Sequence, residues 1–453
     1  MAAGRPHGRP AASVPPVSRE LLLGLDLGTT SCKAAVVTPA GEEVAHGQAP
    51  LHWTPVPTGA EIAAQGFVDC ALAAASEVLA LVPGDHVAGV GVSGMAETGV
   101  LLGRRGEPVI PSIAWHDSRG EDEAARLEAE VPGFRATTGL SSRALRTVAK
   151  YRWLRDNVEE TARGVRWLSV GEWVVHGLGG EQGAELSLAS RTGWLDLHSR
   201  GWWDETLAWS GAPAGLLPEP AFAGTPLGTV GDALPAARGA VLAVGGHDHL
   251  SAAVGAGAVG EGEVLDSWGT AEAFVRAVPP LDRARVAQAV DDEIMVGWHA
   301  VPDRQNLLGA MRSGAALGRV MALLGVSREG RDALERAALE VDAEAGGIEL
   351  RGLNGYRVDL LNIGADPYPA LVWRAALESC GRGARDLLDR MERVAGPHTR
   401  LVMAGGWSEG VAARAVKEAH IGPFERSEAV FMGARGAALT AGRAAGLLPA
   451  TPG

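Results

Sequence analysis

Two short stretches carry residue types that could work on a charged ligand. Residues 21–37 read LLLGLDLGTTSCKAAVV, an apolar run broken by Asp26, Gly28, Thr29, Thr30 and Ser31 and resumed after Lys33. A turn of glycine and hydroxyls presents backbone N–H groups and O–H groups to phosphate oxygens. The same Asp-x-Gly-Thr-Thr order is also good turn chemistry with no ligand. Residues 262–275, GEVLDSWGTAEAFV, repeat the theme: an aspartate, then Gly269-Thr270, then an apolar strand. Lined up on Gly-Thr, the two aspartates are offset by one residue, so the repeat is not clean. If it is a true duplication, the molecule has two like domains, each offering a turn to a shared cleft. Neither a GxxxxGK phosphate loop nor a GxGxxG opening a strand–helix unit is present.

The elements that must position these turns alternate along the chain. Residues 21–55 read as strand, turn, strand and a third extended piece, 60–81 as helix and 87–94 as a Val/Gly strand. Helical patterns with breaks run over 119–157. Residues 240–259 read as a buried strand, a Gly-rich turn and a helix of small residues. Helical patterns then fill 310–343 and 368–396, and 399–420 read as strand, turn and helix. This alternation predicts an α/β protein with mixed sheets.

Composition narrows the function classes. The chain has 453 residues, 46% hydrophobic and 21% charged, enough for two domains of roughly 200 residues each. Net charge is −13 with no basic stripe, which argues against a nucleic-acid partner. Cys32, Cys70 and Cys380 lie far apart, which suits a reducing compartment and offers no zinc-ligand spacing. Residues 1–20 hold arginines and prolines without an apolar core, which predicts a disordered tail and not a signal peptide. No apolar run reaches the roughly 18 residues of a membrane helix, so a cytoplasmic address is expected. Lysine occurs only at 33, 150 and 417 in an otherwise arginine-based cationic set, so each lysine is a candidate for a task.

Five stretches in order, GLDLGTTSCKAAVV, TVAKYRWLRDN, GHDHLSAAVGAG, DSWGTAEAF and VMAGGWS, together resemble the FGGY family of carbohydrate kinases, within the sugar kinase, actin and heat-shock-protein superfamily. LASRTGWLDLHSRGWWDETL (188–207) is similar to the segment before the end of the family's first domain, and the resemblance covers roughly 20–447. It implies an α/β fold of two ribonuclease H-like (actin-like ATPase) domains around a central cleft. The expected division is a tail at 1–20, an N-terminal sugar-binding domain at 21–257 and a C-terminal ATP-binding domain at 258–447.

Carried over residue by residue, the resemblance implies that Asp248 is the general base, a position that could equally be a helix N-cap. Asp26, with Asp248, would hold Mg²⁺ near the phosphates of ATP. Gly28, Thr29, Thr30, Ser31 and Lys33 would face the γ-phosphate, and Gly269 and Thr270 would meet the phosphates from the second domain. Gly405 and Gly406 match the turn beneath the adenosine, and Gly314 another close-approach glycine. On the sugar side, Ala96 and Glu97 occupy the pair that reads Met-His in xylulokinases and Arg-Glu in glycerol kinases. Glu97 would accept sugar hydroxyls and Ala96 would leave room. Trp115 offers an apolar wall or a core residue, and His249 a substrate contact or helix packing. Asp117 and Arg119 read as an internal salt bridge, and His247 as structural.

Two departures stand out. The family's Pro-Tyr-x-x-Gly-Glu-Arg-x-Pro stretch is replaced by the shorter IELRGLNGYRVDLLNIGADP (348–367), and Gly410 stands where glycerol kinases have an adenine-facing Asn. The expected activity is ATP-dependent phosphorylation of a small sugar or polyol, with no nucleic acid and no membrane as partner and a homodimer left open. The rivals are a sugar sensor that kept the kinase fold and an actin-like ATPase with no sugar.

Overall fold

The computed structural model describes residues 19–342, 347–355 and 357–449. The tail expected over 1–20 falls on 1–18, outside the described residues, while Arg19 already pairs with Asp85.

Six strands build the first sheet: β1 (Glu20–Leu27), β2 (Ser31–Val37), β3 (Glu43–Pro50), β4 (His86–Gly94), β5 (Pro226–Thr229) and β6 (Val241–His247). Their order is β5-β6-β4-β1-β2-β3. β1, β2 and β3 form an antiparallel meander, and β4 and β6 run parallel to β1 on its other side. The central strands are buried along almost their whole length, which is why LLLGLDL shows no polar alternation.

The second sheet repeats that plan. It comprises β7 (Glu263–Trp268), β8 (Glu272–Val278), β9 (Met295–Trp298), β10 (Gln305–Met311), β11 (Arg400–Ala404) and β12 (Glu425–Arg426), in the order β9-β10-β8-β7-β11-β12. β7, β8 and β10 form the meander, while β11 runs parallel to β7 and β12 to β11. The Gly-Thr turns of the two stretches therefore occupy matching hairpins, β1–β2 and β7–β8.

Helices fill the spaces between. Named in chain order, those that bear on the site are α1 (Gln65–Leu79), α2 (Thr147–Asn157), α3 (Leu186–Thr192), α4 (Asp248–Ala256), α5 (Ser313–Leu323), α6 (Pro369–Ala395), α7 (Val411–Ile421) and α8 (Met432–Ala444). The helical pattern expected over 310–343 resolves differently. β10 continues to Met311, α5 follows, and a further helix spans Arg331–Leu339.

α8 lies at the end of the chain yet packs on the first sheet and on α4. Only glycine permits that approach. A Cβ at Gly24 would stand 1.7 Å from Ala434 O, at Gly91 1.9 Å from Ala437 O, and at Gly436 1.8 Å from Ser251 O. The other side of α4 meets the second sheet, where Leu250, Ala253 and Val254 share one buried cluster with Leu265, Val275 and Val402. The two sheets are thus joined through a helix whose first residue is Asp248. Between β4 and β5 a helical region carries its own aromatic core of Phe134, Tyr151, Trp167 and Trp194. Among the described residues, no helix is long and apolar enough to cross a membrane.

Candidate active site

Asp248 stands where β6 ends and α4 begins, with a quarter of its side chain exposed. Its Oδ1 accepts the His249 backbone N–H at 2.7 Å and lies 3.1 Å from His247 Nε2. Burial pushes this carboxyl up, but the charges of His249 and His247 outweigh it and leave the net shift downward. The group is therefore ionised in the neutral range. Ligand atoms of His247, Asp248 and His249 all fall within 4.8 Å of one another. Burial pushes the His249 imidazole down, against the pull of Asp248.

Asp26 is the penultimate residue of β1. Ser93 Oγ, on the parallel neighbour β4 in register with Asp26, donates to its Oδ1 at 2.7 Å. Gly433 of α8 seats the other oxygen, and a Cβ there would stand 2.3 Å from Oδ2. Burial, and after it the negative charge of Asp248, raise the Asp26 carboxyl to about 6, against the pull of Ser93 and Lys33. Two carboxylates thus face each other electrostatically, one held high and one low.

Gly28, Thr29, Thr30 and Ser31 form the tip between β1 and β2, closed by a Gly28 N–H to Ser31 O bond of 3.0 Å. Two indoles brace the tip: Trp53 Nε1 donates to Thr29 O at 2.6 Å and Trp115 Nε1 to Thr29 Oγ1 at 3.0 Å. Trp115 therefore couples the 113–120 segment to the tip through its N–H. Lys33 is exposed, its ammonium 5.6 Å from the centroid of the Phe431 ring.

The opposite tip, Gly269-Thr270, is bound to α5 by an Ala315 N–H to Thr270 O bond of 2.8 Å. Gly314 must be glycine, since a Cβ would lie 1.9 Å from Gly269 O and 2.5 Å from Trp407 Nε1. Gly405, with φ of 96°, packs against Trp268, and a Cβ there would meet Trp268 O at 2.4 Å. Gly406 is open to solvent, and its carbonyl accepts Arg331, whose guanidinium lies over Trp407 at 4.7 Å.

Ala96 is buried and belongs to the first core. Glu97, a non-glycine residue with φ of 65°, holds its Oε1 under two guanidiniums: Arg146 Nη1 at 2.8 Å, Arg191 Nη2 at 2.7 Å and Arg191 Nε at 3.0 Å. Asp117 and Arg119 do pair, at 2.8 Å, and Arg119 reaches Glu61 as well. Lys150, buried on α2, donates to the Asp117 carbonyl, and burial lowers it to about 8.

A model of the FGGY family of carbohydrate kinases, N-terminal domain, matches residues 21–255. The xylulose kinase of Streptomyces coelicolor is 32% identical over 446 residues, covering 94% of this chain and 88% of that protein. The chain belongs to the FGGY carbohydrate kinases. A glycerol kinase of Symbiobacterium thermophilum is 29% identical across 95% of the chain and 91% of its own length. A solved xylulose kinase from Brucella ovis superposes with a TM-score of 0.85 at 25% identity, covering 95% of this chain and 91% of that one. The enzyme is thus a carbohydrate kinase with the two-domain, actin-like fold that its motifs implied.

Several residues of this kinase's site carry no local signature. Ser93, Trp53, Arg146 and Arg191 reach their partners across 67, 24, 49 and 94 residues of chain. A second cluster lies beneath the Gly269-Thr270 tip. Lys417 of α7 contacts Asp266 and Glu272 with no exposure of any of the three side chains. Ser313 Oγ donates to Glu272 and accepts Trp268 Nε1 at 2.9 Å. The scarcity of lysine was the one signal that could have marked Lys417.

Proposed function

We propose that this kinase transfers the terminal phosphoryl group of ATP to a hydroxyl of a small sugar or polyol, with Asp248 as the base. One observation carries the reading: an ionised aspartate heads the helix that joins the two sheets, near Asp26 beside the tip of the β1–β2 hairpin. Relatives named xylulose kinase and glycerol kinase support a ketose or a polyol as acceptor.

In this reading residues 21–257 hold the sugar and residues 258–447 hold ATP. The acceptor hydroxyl gives its proton to Asp248 as its oxygen bonds to the γ-phosphorus, and ADP leaves with the bridging oxygen's electron pair. Gly28, Thr29, Thr30, Ser31 and Lys33 meet the transferred group, while Gly269 and Thr270 meet the phosphates from the other side. Gly314 lets α5 lie against that second tip, and Gly405 and Gly406 leave the turn beside Arg331 and Trp407 free of side chains for the nucleoside. Glu97, Trp115 and His249 line the acceptor side, with Ala96 packed behind Glu97.

The residues present also fit a hard divalent cation. Asp26 and Asp248 supply carboxylate oxygens, and their mutual repulsion is the kind a cation relieves. Mg²⁺ held there would neutralise charge on the phosphates. Exclusion of water from the closed cleft keeps the phosphoryl group for the sugar.

The test is ADP release from MgATP across ketoses, aldoses, alditols and sugar acids, with Asp248→Asn beside the wild type. Acceptor-stimulated turnover that falls by about 10²–10⁴-fold in the variant is expected. Hydrolysis indifferent to every acceptor, or an unimpaired variant, overturns the assignment.

A further inference from the structure

Glu97 is outnumbered. Arg146, 1% exposed, and Arg191, 9% exposed, both direct N–H groups at its single Oε1, so two buried guanidiniums share one carboxylate. Arg146 Nε donates to the Ser141 carbonyl at 3.2 Å, while Arg146 Nη2 lies 3.3 Å and Arg191 Nη1 3.0 Å from Met295 Sδ. A thioether sulfur is a weak acceptor, and two charged donors aimed at it are poorly satisfied. Guanidinium forks match carboxylate oxygens far better.

Met295 begins the edge strand β9 and is only half-buried, and an unbranched thioether changes rotamer readily. The place where its sulfur sits can therefore be vacated. This place is also close to the reacting end. The helix α3 that carries Arg191 touches it, since the His247 N–H, next to Asp248, donates to Ser187 Oγ at 2.9 Å. Burial, and then the charge of Arg191, push the Arg146 guanidinium down to about 9, a repulsion that an incoming anion would reverse. The other charges nearby do not supply that anion. Lys150 adds a further cation, and Asp117 is already matched by Arg119.

We infer that the sugar this enzyme phosphorylates carries a carboxylate, and that Arg146 and Arg191 bind it at the point now held by Met295 Sδ. The inference rests on the kinase reading of the Asp248 site. A carboxylate suits the donor geometry: Arg146 Nη2 and Arg191 Nη1 each aim one N–H at that point, matching two carboxylate oxygens. The substrate class is then a sugar acid, bound by its acid end in the arginine pair with a hydroxyl presented to Asp248.

The experiment compares acceptors of one carbon skeleton with and without the acid: xylonate against xylitol and gluconate against glucitol, each with MgATP. The acid of at least one pair is expected to exceed its neutral partner at least tenfold in kcat/KM. Arg146→Met and Arg191→Met should each raise KM for that acid tenfold or more with a smaller change in kcat, and Arg146→Lys should recover part of the loss. Calorimetric titration of the wild type with each acid and its neutral partner, in the presence of a non-hydrolysable ATP analogue, measures the same preference without a variant. Neutral sugars that are phosphorylated and bound as well as, or better than, their acids overturn the carboxylate inference and keep the kinase reading. ATP hydrolysis indifferent to every acceptor, or no turnover with any, overturns both.

Discussion

Lys417 Nζ stands 3.1 Å from Asp266 Oδ2, and neither side chain has any solvent exposure. Glu272 completes the group from the neighbouring strand, and the Trp268 ring lies 4.4 Å from the same ammonium. One amine thus serves two carboxylates beneath the tip of the β7–β8 hairpin, and burial pushes Glu272 up while the charge of the amine pulls it down. Removing the cation leaves two acids buried without a counter-charge, at a cost of about 3–5 kcal/mol. Lys417→Met should therefore lower the midpoint of urea unfolding sharply. Adding Asp266→Asn and Glu272→Gln to it should restore most of the loss. A Lys417→Met protein of wild-type stability would show that the cluster is not a charged one.

Gly314 holds α5 against the second Gly-Thr tip by having no side chain. Its missing Cβ would fall 1.9 Å from the Gly269 carbonyl oxygen, so Gly314→Ala must push the tip and α5 apart. Overpacking of this kind costs about 1–3 kcal/mol. The displaced tip should raise KM for ATP at least tenfold while KM for the sugar changes little. Initial-rate kinetics in both substrates separates the two, and an unchanged KM for ATP would remove the tip from the nucleotide site.

Gly91 performs the same service for α8. A Cβ there would stand 1.9 Å from Ala437 O, with no flexible side chain able to yield. Gly91→Ala is expected to lose about 1–3 kcal/mol in chemical denaturation. A neutral result would mean that α8 does not lie on the first sheet in solution.

Glu172 gives stability a pH dependence. It is buried, accepts the backbone N–H groups of Ser169 at 2.6 Å and Glu185 at 2.7 Å, and is raised by burial from 4.5 to about 8. Between those two values the folded chain holds a proton that the unfolded chain has released. Stability must then fall as pH rises through that window, by up to about 1.4 kcal/mol per unit for this one group. Glu172→Gln removes the titration, so thermal unfolding followed between pH 5 and about 8 should show a flatter decline than the wild type. Parallel curves would put the group's folded titration back near its ordinary value.

Much of the site could be read locally because its turns are local. Gly28-Thr29-Thr30-Ser31 and Gly269-Thr270 are each made by neighbours in sequence, and hairpin tips need particular residue types whatever surrounds them. The imperfect repeat was legible too, but its meaning was not. Asp26 sits two residues before its glycine and Asp266 three residues before its own. Side chains alternate across a strand, so a one-residue offset sends the two acids to opposite faces. Asp26 faces Ser93 and Asp248 beside the tip, while Asp266 turns into the core and meets Lys417.

By itself, then, the sequence determined the two hairpins, the strand-to-helix turn at Asp248 and the alternating pattern of an α/β chain, all set by residues a few positions apart. Tertiary structure alone decided that α8 returns to the first sheet and that Ser93 steadies Asp26. It also decided that Glu97 is claimed by Arg146 and Arg191, and that Lys417 neutralises acids about 150 residues away. Each of those partnerships joins groups whose types are unremarkable where they stand in the chain. A buried charge selects its partner by proximity after folding, and proximity across such separations is a property of the packed sheets, not of any local run of residues.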